Sequence, residues 1–204
     1  MEVFRGMTPR PLTELRPALV EVILAKGHLQ LAEPVKLASG DLSRDYIDNK
    51  RAFACGPDLR AAGEALSRLA EDEGWDFDAV GGLTLGADHF SHAVAMASGR
   101  SWFVVRKAEK DHGTKRRIEG AHLGPGVRVL VVDDVVTRGG SILEAYQAVL
   151  ETGAEVVGVT TMVDRGPATA AIFAGLGVPY RPLLTHRDLG IDPVGTADDS
   201  RPTG

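Results

Sequence analysis

Two adjacent carboxylates, Asp133 and Asp134, are followed after two valines by a short segment of small and polar residues. The members of that segment, which we name the phosphate loop, are Thr137, Arg138, Gly139, Gly140 and Ser141. Its glycines allow backbone amides to close around an anion, its two hydroxyl groups are donors, and its arginine adds positive charge. The loop is therefore predicted to hold a phosphate group.

The two aspartates, named here the acid pair, would repel a bound phosphate unless they face a different partner. Sugar hydroxyls, a bound Mg²⁺ ion and developing positive charge are such partners, and a phosphorylated ribose offers all three. The sequence contains neither GxxxxGK, the P-loop motif, nor GxGxxG after a strand, the dinucleotide-binding motif. A helix-capping loop with two solvated aspartates is the alternative interpretation. The apolar run before the acid pair and the Gly-Gly after it favour a ribose phosphate site.

Alternating strands and helices are predicted to hold these residues at one edge of a sheet. Residues 127–132, in which Arg128 is the one charged member, have the branched apolar character that is typical of a strand buried on both faces. A helical stripe follows at Ile142, Leu143, Tyr146, Val149 and Leu150. Helices are also predicted at 13–26 and 57–72, strands at 77–80 and 101–106, and short strands within 29–49. The alternation predicts an α/β fold with a mostly parallel sheet covered by helices on both faces.

The composition is that of an ordinary globular protein. The chain has 204 residues, 44% hydrophobic residues, 25% charged residues and a formal net charge of −5, which fit one domain and do not indicate a nucleic-acid-coating protein. A single cysteine, Cys55, cannot form an intramolecular disulfide, and residues 1–27 lack the pattern of a secretion signal. The apolar runs are shorter than the roughly 20 residues of a membrane helix. We therefore expect a cytoplasmic protein without membrane or nucleic-acid partners.

The segment VLVVDDVVTRGGS resembles the motif with which type I phosphoribosyltransferases bind 5-phosphoribosyl-1-pyrophosphate (PRPP). The resemblance implies that Asp133 and Asp134 hold the ribose hydroxyls, that the phosphate loop holds the 5′-phosphate, and that Val135 and Val136 belong to the same site. It also implies the fold of that family, a five-stranded parallel core flanked by helices with a small N-terminal hood. One domain, 1–204, is expected, with the hood at approximately 1–50, the core at 51–190 and a flexible tail at 191–204.

A second turn of small residues, GGLTLG, follows the strand predicted at 77–80. In the family the pyrophosphate loop occupies this position. The resemblance therefore assigns to the leaving pyrophosphate the residues Gly82, Leu83, Thr84, Leu85 and Gly86. His89 and His92 lie three residues apart on the helix that follows, and we interpret them as a helix-surface pair because no third metal ligand is spaced with them.

Residues 106–117, named the basic loop, are rich in charge and poor in apolar residues, so they are predicted to lie over the surface and to move. A solvated charged loop is the alternative interpretation. Its start, RKAEKDHG, resembles the RKxxKxHG loop of orotate phosphoribosyltransferases, which closes over PRPP, commonly from the neighbouring subunit of a homodimer. The resemblance implies pyrophosphate contacts from Arg106, Lys107, Lys110 and His112. Lys110 and His112 are then the candidates for assisting its departure, beside the acid pair as the other catalytic residues.

Two regions are candidates for the base site. Arg165, at the end of a predicted strand in TTMVDRG, matches the arginine that family members use against orotate, and Thr137 matches a threonine near the base; an ordinary loop arginine is the alternative. The segment VKLASGDLSRDYIDNKR resembles the hood segment TLxSGxxSxxYxDxR. Ala38 stands where many members have lysine, and Lys36, on the same face of an extended strand, is predicted to supply the charge instead.

The leading functional hypothesis is an enzyme that makes orotidine 5′-monophosphate and pyrophosphate from orotate and PRPP. Mg²⁺ is the expected cofactor, bound mainly through the substrate with no certain protein ligand. Two alternatives stay open, a PRPP-dependent transferase for another base and a non-catalytic PRPP-sensing regulator on the same fold. The divergent hood favours a different base, whereas the RKAEKDHG segment favours orotate.

Overall fold

The N-terminal part of the chain forms a helix and a small hairpin. The structure, a computed structural model, describes residues 10–37, 39–107 and 117–195. Its first elements are α1 (Leu12–Val22), a π-helical turn (Ile23–Gly27), strands β1 (His28–Lys36) and β2 (Leu42–Ile47), and the short helix α2 (Asn49–Ala52). β1 and β2 pair antiparallel in a sheet of their own. This pair, named the hood hairpin, corresponds to the expected hood.

Within the described residues the central sheet has six strands, in the order β5-β4-β3-β6-β7-β8. Its strands are β3 (Ala79–Leu83), β4 (Ser101–Val105), β5 (Ile118–Gly120), β6 (Arg128–Val136), β7 (Glu155–Asp164) and β8 (Leu184–Thr185). Five of them run parallel, and β5 pairs antiparallel with β4 at one edge. The helices between them are α3 (Gly56–Asp72), α4 (Asp88–Ser98), α5 (Gly140–Leu150) and α6 (Ala168–Leu176). The predicted mostly parallel α/β sheet is confirmed.

The sheet is covered on both faces, as its apolar strands require. Alternate residues of β6 point to opposite sides, so that Leu130 and Val132 pack with α1, α3 and α4 while Val129 and Val131 pack with α5 and α6. All four valine and leucine side chains are completely buried. The continuous apolar run therefore reflects burial on both faces, and it carries the acid pair to the carboxyl edge of the sheet.

Several element boundaries differ from the predictions for physical reasons. β3 begins at Ala79 rather than at residue 77, because the buried Phe77 packs into the core before the backbone joins the sheet. The edge strands β5 and β8 were not predicted. They are three and two residues long, which is too short for an alternation of apolar and polar residues to appear in the sequence, and backbone pairing holds them in the sheet. α6 was not predicted either, since its stretch of alanines carries only a short apolar stripe. None of the described helices is long and apolar enough to cross a membrane.

The segment after β8 packs against the end of β7. Val194 is buried, and its N–H donates to the carbonyl oxygen of Arg165 at 2.9 Å. Gly166 leaves room for this contact, because a Cβ at that position would overlap the Val194 carbonyl. Val194 and Gly195, which lie in the region expected to form a flexible tail, are thus buried, whereas Asp192 and Pro193 are exposed; residues 196–204 lie outside the described residues.

Candidate active site

A cavity of about 480 Å³ opens at the carboxyl end of β6. Its lining combines the acid pair and the phosphate loop with residues from the hood and from the end of β7. These are Asp133, Asp134, Val135, Val136, Thr137, Arg138, Gly139, Gly140 and Ser141, together with Leu37, Ser39, Tyr46, Ile47, Lys50 and Arg165. The predicted ribose and phosphate residues therefore meet Arg165 and Thr137, two of the predicted base residues, in one place. This place is the edge where an open α/β sheet binds its ligands.

The phosphate loop connects β6 to α5 and presents the start of that helix to the cavity. Gly139 precedes α5 with φ +74°, a left-handed conformation that glycine adopts without strain, and its carbonyl accepts from the N–H of Leu143. Among the described residues no side chain caps this helix end, so the first N–H groups of α5 keep their capacity to bind an anion. The start of α5 is therefore suited to bind the oxygen atoms of a phosphate group.

The two members of the acid pair have different environments. Asp133 is 3% exposed, and burial raises its pKa well above the ordinary value of 3.8, with the charge of Asp134 adding to the increase. The N–H of Asp134 donates to Asp133 Oδ1 at 2.9 Å, which partly opposes that increase. Asp134 instead reaches Lys50, whose Nζ lies 3.3 Å from Asp134 Oδ2. Asp134 is therefore the member with a balanced charge at the cavity surface.

Lys50 is a site residue that the sequence did not reveal. It lies on α2, whose start is capped by the Asp48 side chain accepting from the N–H of Arg51. Burial alone would lower the pKa of Lys50, but the charge of Asp134 and a hydrogen bond to it outweigh burial and raise the pKa. Its neighbour Asn49 donates to the Asp134 carbonyl at 2.9 Å. No local pattern links residues 49–50 with residue 134, so only the tertiary structure shows this contact.

The predicted pyrophosphate loop, residues 82–86, lies next to the acid pair. A Cβ on Gly86 would stand 2.7 Å from Asp134 Oδ1 and 3.0 Å from Asp133 Oδ1, so only glycine permits this approach. At the end of the loop Thr84 Oγ1 donates to Asp88 Oδ2 at 2.7 Å, beside the start of α4. The structure thus places the second glycine turn against the acids, although the turn does not line the cavity itself.

Arg165 is a buried cation with neutral partners. Its side chain is 1% exposed; Nη1 donates to the carbonyl of Asp45 at 2.9 Å and Nη2 to Ser43 Oγ at 3.0 Å. Nε is buried and has no hydrogen-bond partner among the described residues. Burial lowers the pKa of this guanidinium. A buried charge held by neutral oxygens is costly on its own, which makes this end of the cavity suitable for an anionic ligand group.

The remaining predicted site residues either lie outside the cavity lining or lie outside the described residues. The Arg106 guanidinium lies beside Glu119, with Nη1 3.5 Å from Oε1, and Lys107 is exposed at the last described position before the gap. Lys110 and His112 lie outside the described residues, as does Ala38. Lys36 is exposed at the end of β1 and does not line the cavity.

The two histidines of α4 show no metal-binding arrangement. His92 packs edge-on against Trp102, with ring centroids 4.5 Å apart, and the His89 ring lies tilted by 38° against the Phe90 ring. Burial lowers the pKa of His89. No group of three or more potential metal ligands occurs in the described part of the chain.

The chain is similar to known phosphoribosyltransferases over most of its length. The family model of the phosphoribosyl transferase domain matches residues 57–173. The orotate phosphoribosyltransferase of Corynebacterium glutamicum (strain R) is 46% identical over 183 residues, which cover 88% of this chain and 96% of that protein. The orotate phosphoribosyltransferase of Streptomyces avermitilis is also 46% identical, over 187 residues that cover 89% of this chain and 100% of that protein.

Solved structures agree with this similarity. The Mycobacterium tuberculosis H37Rv orotate phosphoribosyltransferase in complex with PRPP matches with a TM-score of 0.72 and 38% identity, covering 87% of this chain and 99% of that chain. An adenine phosphoribosyltransferase from Leishmania donovani matches with a TM-score of 0.63 but only 16% identity, over 98% of this chain and 93% of that chain, which shows a shared fold alone.

Proposed function

The chain belongs to the phosphoribosyltransferase family, among the orotate phosphoribosyltransferases, and we propose that it transfers the 5-phosphoribosyl group of PRPP to orotate. The products are orotidine 5′-monophosphate and pyrophosphate, as in pyrimidine synthesis. The observation that carries the proposal is that one cavity is lined by the acid pair, the phosphate loop and the buried Arg165. The hydrogen bonds of Arg165 go to neutral oxygens.

PRPP occupies the acid pair and the phosphate loop in this proposal. The 5′-phosphate accepts from the first N–H groups of α5 and from the hydroxyls of Thr137 and Ser141, because a helix start without a side-chain cap binds anions. The ribose hydroxyls donate to Asp134 and Asp133. The pyrophosphate then extends towards residues 82–86, whose Gly86 lies against both acids.

Orotate occupies the end of the cavity next to Arg165 and Thr137. The carboxylate of orotate is a negatively charged partner for the buried guanidinium, whose hydrogen bonds go to neutral oxygens. The planar fork of N–H groups of an arginine matches a carboxylate with two parallel hydrogen bonds. The hood residues Leu37 and Tyr46 line the same cavity and cover the ring. The base is thereby placed beside the anomeric carbon of the ribose.

The reaction separates charge along the breaking bond between the anomeric carbon and pyrophosphate. The ribose gains oxocarbenium character, as in glycoside cleavage, and the carboxylates of the acid pair stabilise that positive charge. The basic loop supplies Arg106, Lys107, Lys110 and His112 to the departing pyrophosphate, with Lys110 and His112 assisting its departure. A closed loop also excludes water and prevents hydrolysis of PRPP.

The residues present fit a magnesium ion that travels with the substrate. Asp134 is the acid-pair member at the cavity surface, but the described residues hold no cluster that could bind a metal by itself. Mg²⁺ prefers a few carboxylates, substrate phosphates and water. When bound, the ion supplies charge neutralisation for the pyrophosphate, and Asp133 and Asp134 are the residues that would lie near it.

A homodimer would bring the basic loop to a neighbouring cavity. Met96 and Trp102 are 65% and 41% exposed on α4 and β4, and a cavity of about 420 Å³ with mostly apolar walls lies beside them between α3 and α4. β4 leads directly into the basic loop, so pairing through this face would place the loop close to the partner. Sedimentation of the purified protein tests this part, and a fully active monomer would contradict it.

The remaining parts of the proposal concern domain limits and location. We propose one domain with the hood at approximately 1–50 and the core at 51–190, because α2 and the hood hairpin contact the acid pair and Arg165 rather than a separate core. The protein is proposed to act in the cytoplasm. Subcellular fractionation of the source cells tests the location.

The function is tested with purified protein, PRPP and Mg²⁺ by following the loss of orotate absorbance, beside parallel reactions with uracil and the purine bases. Turnover of orotate alone supports the proposal. Turnover of a different base instead of orotate would identify that base as the substrate. PRPP binding without any turnover would favour a sensing role.

Lys110→Ala is expected to lower kcat by about tenfold to 100-fold, because a cation on the departing pyrophosphate is lost in the transition state. The matched control is Lys26→Ala, which removes a surface lysine paired with Asp58 far from the cavity. Steady-state kinetics with PRPP and orotate provide the measurement. If Lys110→Ala transfers at the wild-type rate, the assignment of the leaving-group residue is wrong.

Lys36→Ala is expected to raise KM for orotate only about twofold to fivefold, since Lys36 is exposed and acts through a solvent-screened charge. KM for PRPP is expected to stay unchanged. The same assay with varied orotate measures the effect. An unchanged KM for orotate would remove Lys36 from the base site.

A further inference from the structure

We propose that Asp41 and Arg138 form a latch between the hood and the phosphate loop, and that Asp41 is a positioning residue for the base. This inference rests on the proposed function, because it assigns the latch to orotate binding. Asp41 directly precedes β2, and Arg138 lies within the phosphate loop 97 residues later. The two residues thus join the parts of the cavity that would hold the base and the 5′-phosphate.

The contact is a bidentate ion pair with a buried acid. Arg138 Nε donates to Asp41 Oδ1 and Oδ2 at 3.0 and 2.9 Å, and Nη2 also donates to Oδ1. The Asp41 side chain is 3% exposed, whereas that of Arg138 is 46% exposed. The hydrogen bond from Arg138 lowers the pKa of Asp41, so the acid is ionised at neutral pH. Charge-assisted, bidentate pairs of this kind have the strongest directional preference among side-chain contacts.

A backbone hydrogen bond holds Asp41 at the connection between β1 and β2. The Asp41 carbonyl accepts from the N–H of Leu37 at 2.8 Å. Gly40 occupies the turn with φ +91°. Leu37 and Ser39 line the cavity next to Asp41. A displacement of Asp41 would therefore also displace the part of the cavity wall that covers the base in the proposed complex.

Three further contacts join the hood to residues of the cavity. Arg165 donates to Ser43 and to the Asp45 carbonyl, and Asn49 donates to the Asp134 carbonyl, so these two contacts end on neutral oxygens. The third contact, Lys50 Nζ 3.3 Å from Asp134 Oδ2, joins two charges as the latch does. Together with the latch, these contacts end on the base arginine, the acid pair and the phosphate loop.

The latch changes the expected role of Arg138. A guanidinium held by a buried carboxylate is compensated in charge, so its contribution to the phosphate is smaller than that of a free cation. Removing the Asp41 charge should loosen the hood and weaken orotate binding, while the released arginine keeps or strengthens phosphate binding. A general folding defect would weaken both ligands together, and this difference makes the inference testable.

The test compares Asp41→Asn with Glu33→Gln, which removes one negative charge from an exposed position of the same hairpin. Asp41→Asn is expected to raise KM for orotate about tenfold and to leave KM for PRPP within about twofold, as the loss of one charge-assisted pair would produce. Asp41→Glu should recover most of the orotate affinity, and Glu33→Gln should match the wild type. Wild-type orotate affinity in Asp41→Asn, or equal weakening of both substrates, would overturn the latch.

Two further measurements separate the latch from the proposed function. Binding of inorganic phosphate and hydrogen exchange of the hood hairpin need no turnover; Asp41→Asn should bind phosphate at least as tightly as the wild type and exchange its hairpin amides faster than Glu33→Gln. Absence of orotate turnover by the wild type would defeat the proposed function without touching these results. If Asp41→Asn does not fold, Arg138→Gln must show the same hairpin exchange, and unchanged exchange there overturns the inference.

Discussion

Asp134→Asn is expected to lower kcat by about 10²–10³-fold, the usual loss when one charge that stabilises a transition state is removed. Asp134 lies at the cavity surface with Lys50 Nζ 3.3 Å from its Oδ2, and in the proposed complex its carboxylate faces the ribose. Its backbone carbonyl is held by Asn49 and Thr161, and these contacts do not involve the side chain. The fold should therefore survive the change while the oxocarbenium-like transition state loses its partner.

Steady-state kinetics and thermal unfolding of the same sample measure the two parts of this expectation. The matched control is Asp72→Asn, an exposed aspartate paired with Arg68 at the end of α3. A drop in kcat without a drop in Tm supports the assignment. Full activity in Asp134→Asn, or a loss of activity explained by unfolding, would count against it.

Asp133→Asn gives a sharper contrast, because activity and stability should move in opposite directions. Burial and the charge of Asp134 raise the pKa of Asp133 above its ordinary value of 3.8. The folded state thus prefers the neutral acid, and its stability falls as the pH rises from the ordinary value through the raised one. At pH 7 the buried charge is a cost, and asparagine removes it.

We therefore expect Asp133→Asn to lose activity and to gain Tm at pH 7, by about 2–4 °C for each kcal/mol of relieved cost. The gain should disappear when unfolding is measured at about pH 3, below the ordinary carboxyl pKa of 3.8, where Asp133 is largely protonated in both the folded and the unfolded state. A lower Tm for Asp133→Asn at pH 7 would show that the ionised acid stabilises the fold through contacts other than those described.

The second large effect is expected for Arg165→Ala, which should raise KM for orotate by about 10²–10⁴-fold. Two hydrogen bonds from a charged group to a carboxylate are worth about 1.5–3 kcal/mol each. Arg165 is suited to this role because it is almost completely buried and lines the cavity, and because its Nε has no hydrogen-bond partner in the part of the chain that the structure describes. KM for PRPP should change much less, since the phosphate loop is a separate part of the cavity.

Arg165→Lys is the informative companion variant, because lysine keeps the charge and loses the planar fork. It should recover only part of the orotate affinity. Arg181→Ala serves as the control, since that exposed arginine lies between α6 and β8 and does not line the cavity. Equal KM values for orotate in Arg165→Ala and the wild type would exclude the guanidinium from base binding.

The parts of the site that are local in sequence were predictable. The buried strand β6, the acid pair and the phosphate loop follow one another within 128–141, and each has a pattern of its own, namely an apolar run, adjacent acids and glycines before a helical stripe. The order of elements predicted the parallel sheet for the same reason. Short-range chemistry and periodicity carry this information directly.

The parts that depend on distant contacts were not predictable. Lys50 meets Asp134 across 84 residues and Asp41 meets Arg138 across 97, and neither contact has a sequence pattern. The contact between Val194 and Arg165 was also not predicted. The segment around Val194 has a polar, Gly-rich composition typical of a flexible tail, and this composition gives no sign of a single buried backbone hydrogen bond. The short strands β5 and β8 are held by backbone pairing that any residues can make.

The most direct test of the account is a crystal structure of the protein with orotidine 5′-monophosphate, read for the position of three groups. We predict the 5′-phosphate within hydrogen-bond distance of the phosphate loop amides, the ribose hydroxyls on Asp133 and Asp134, and the base carboxylate on the Arg165 guanidinium. A nucleotide with its phosphate away from residues 137–141, or with its base carboxylate away from Arg165, would contradict the proposed site.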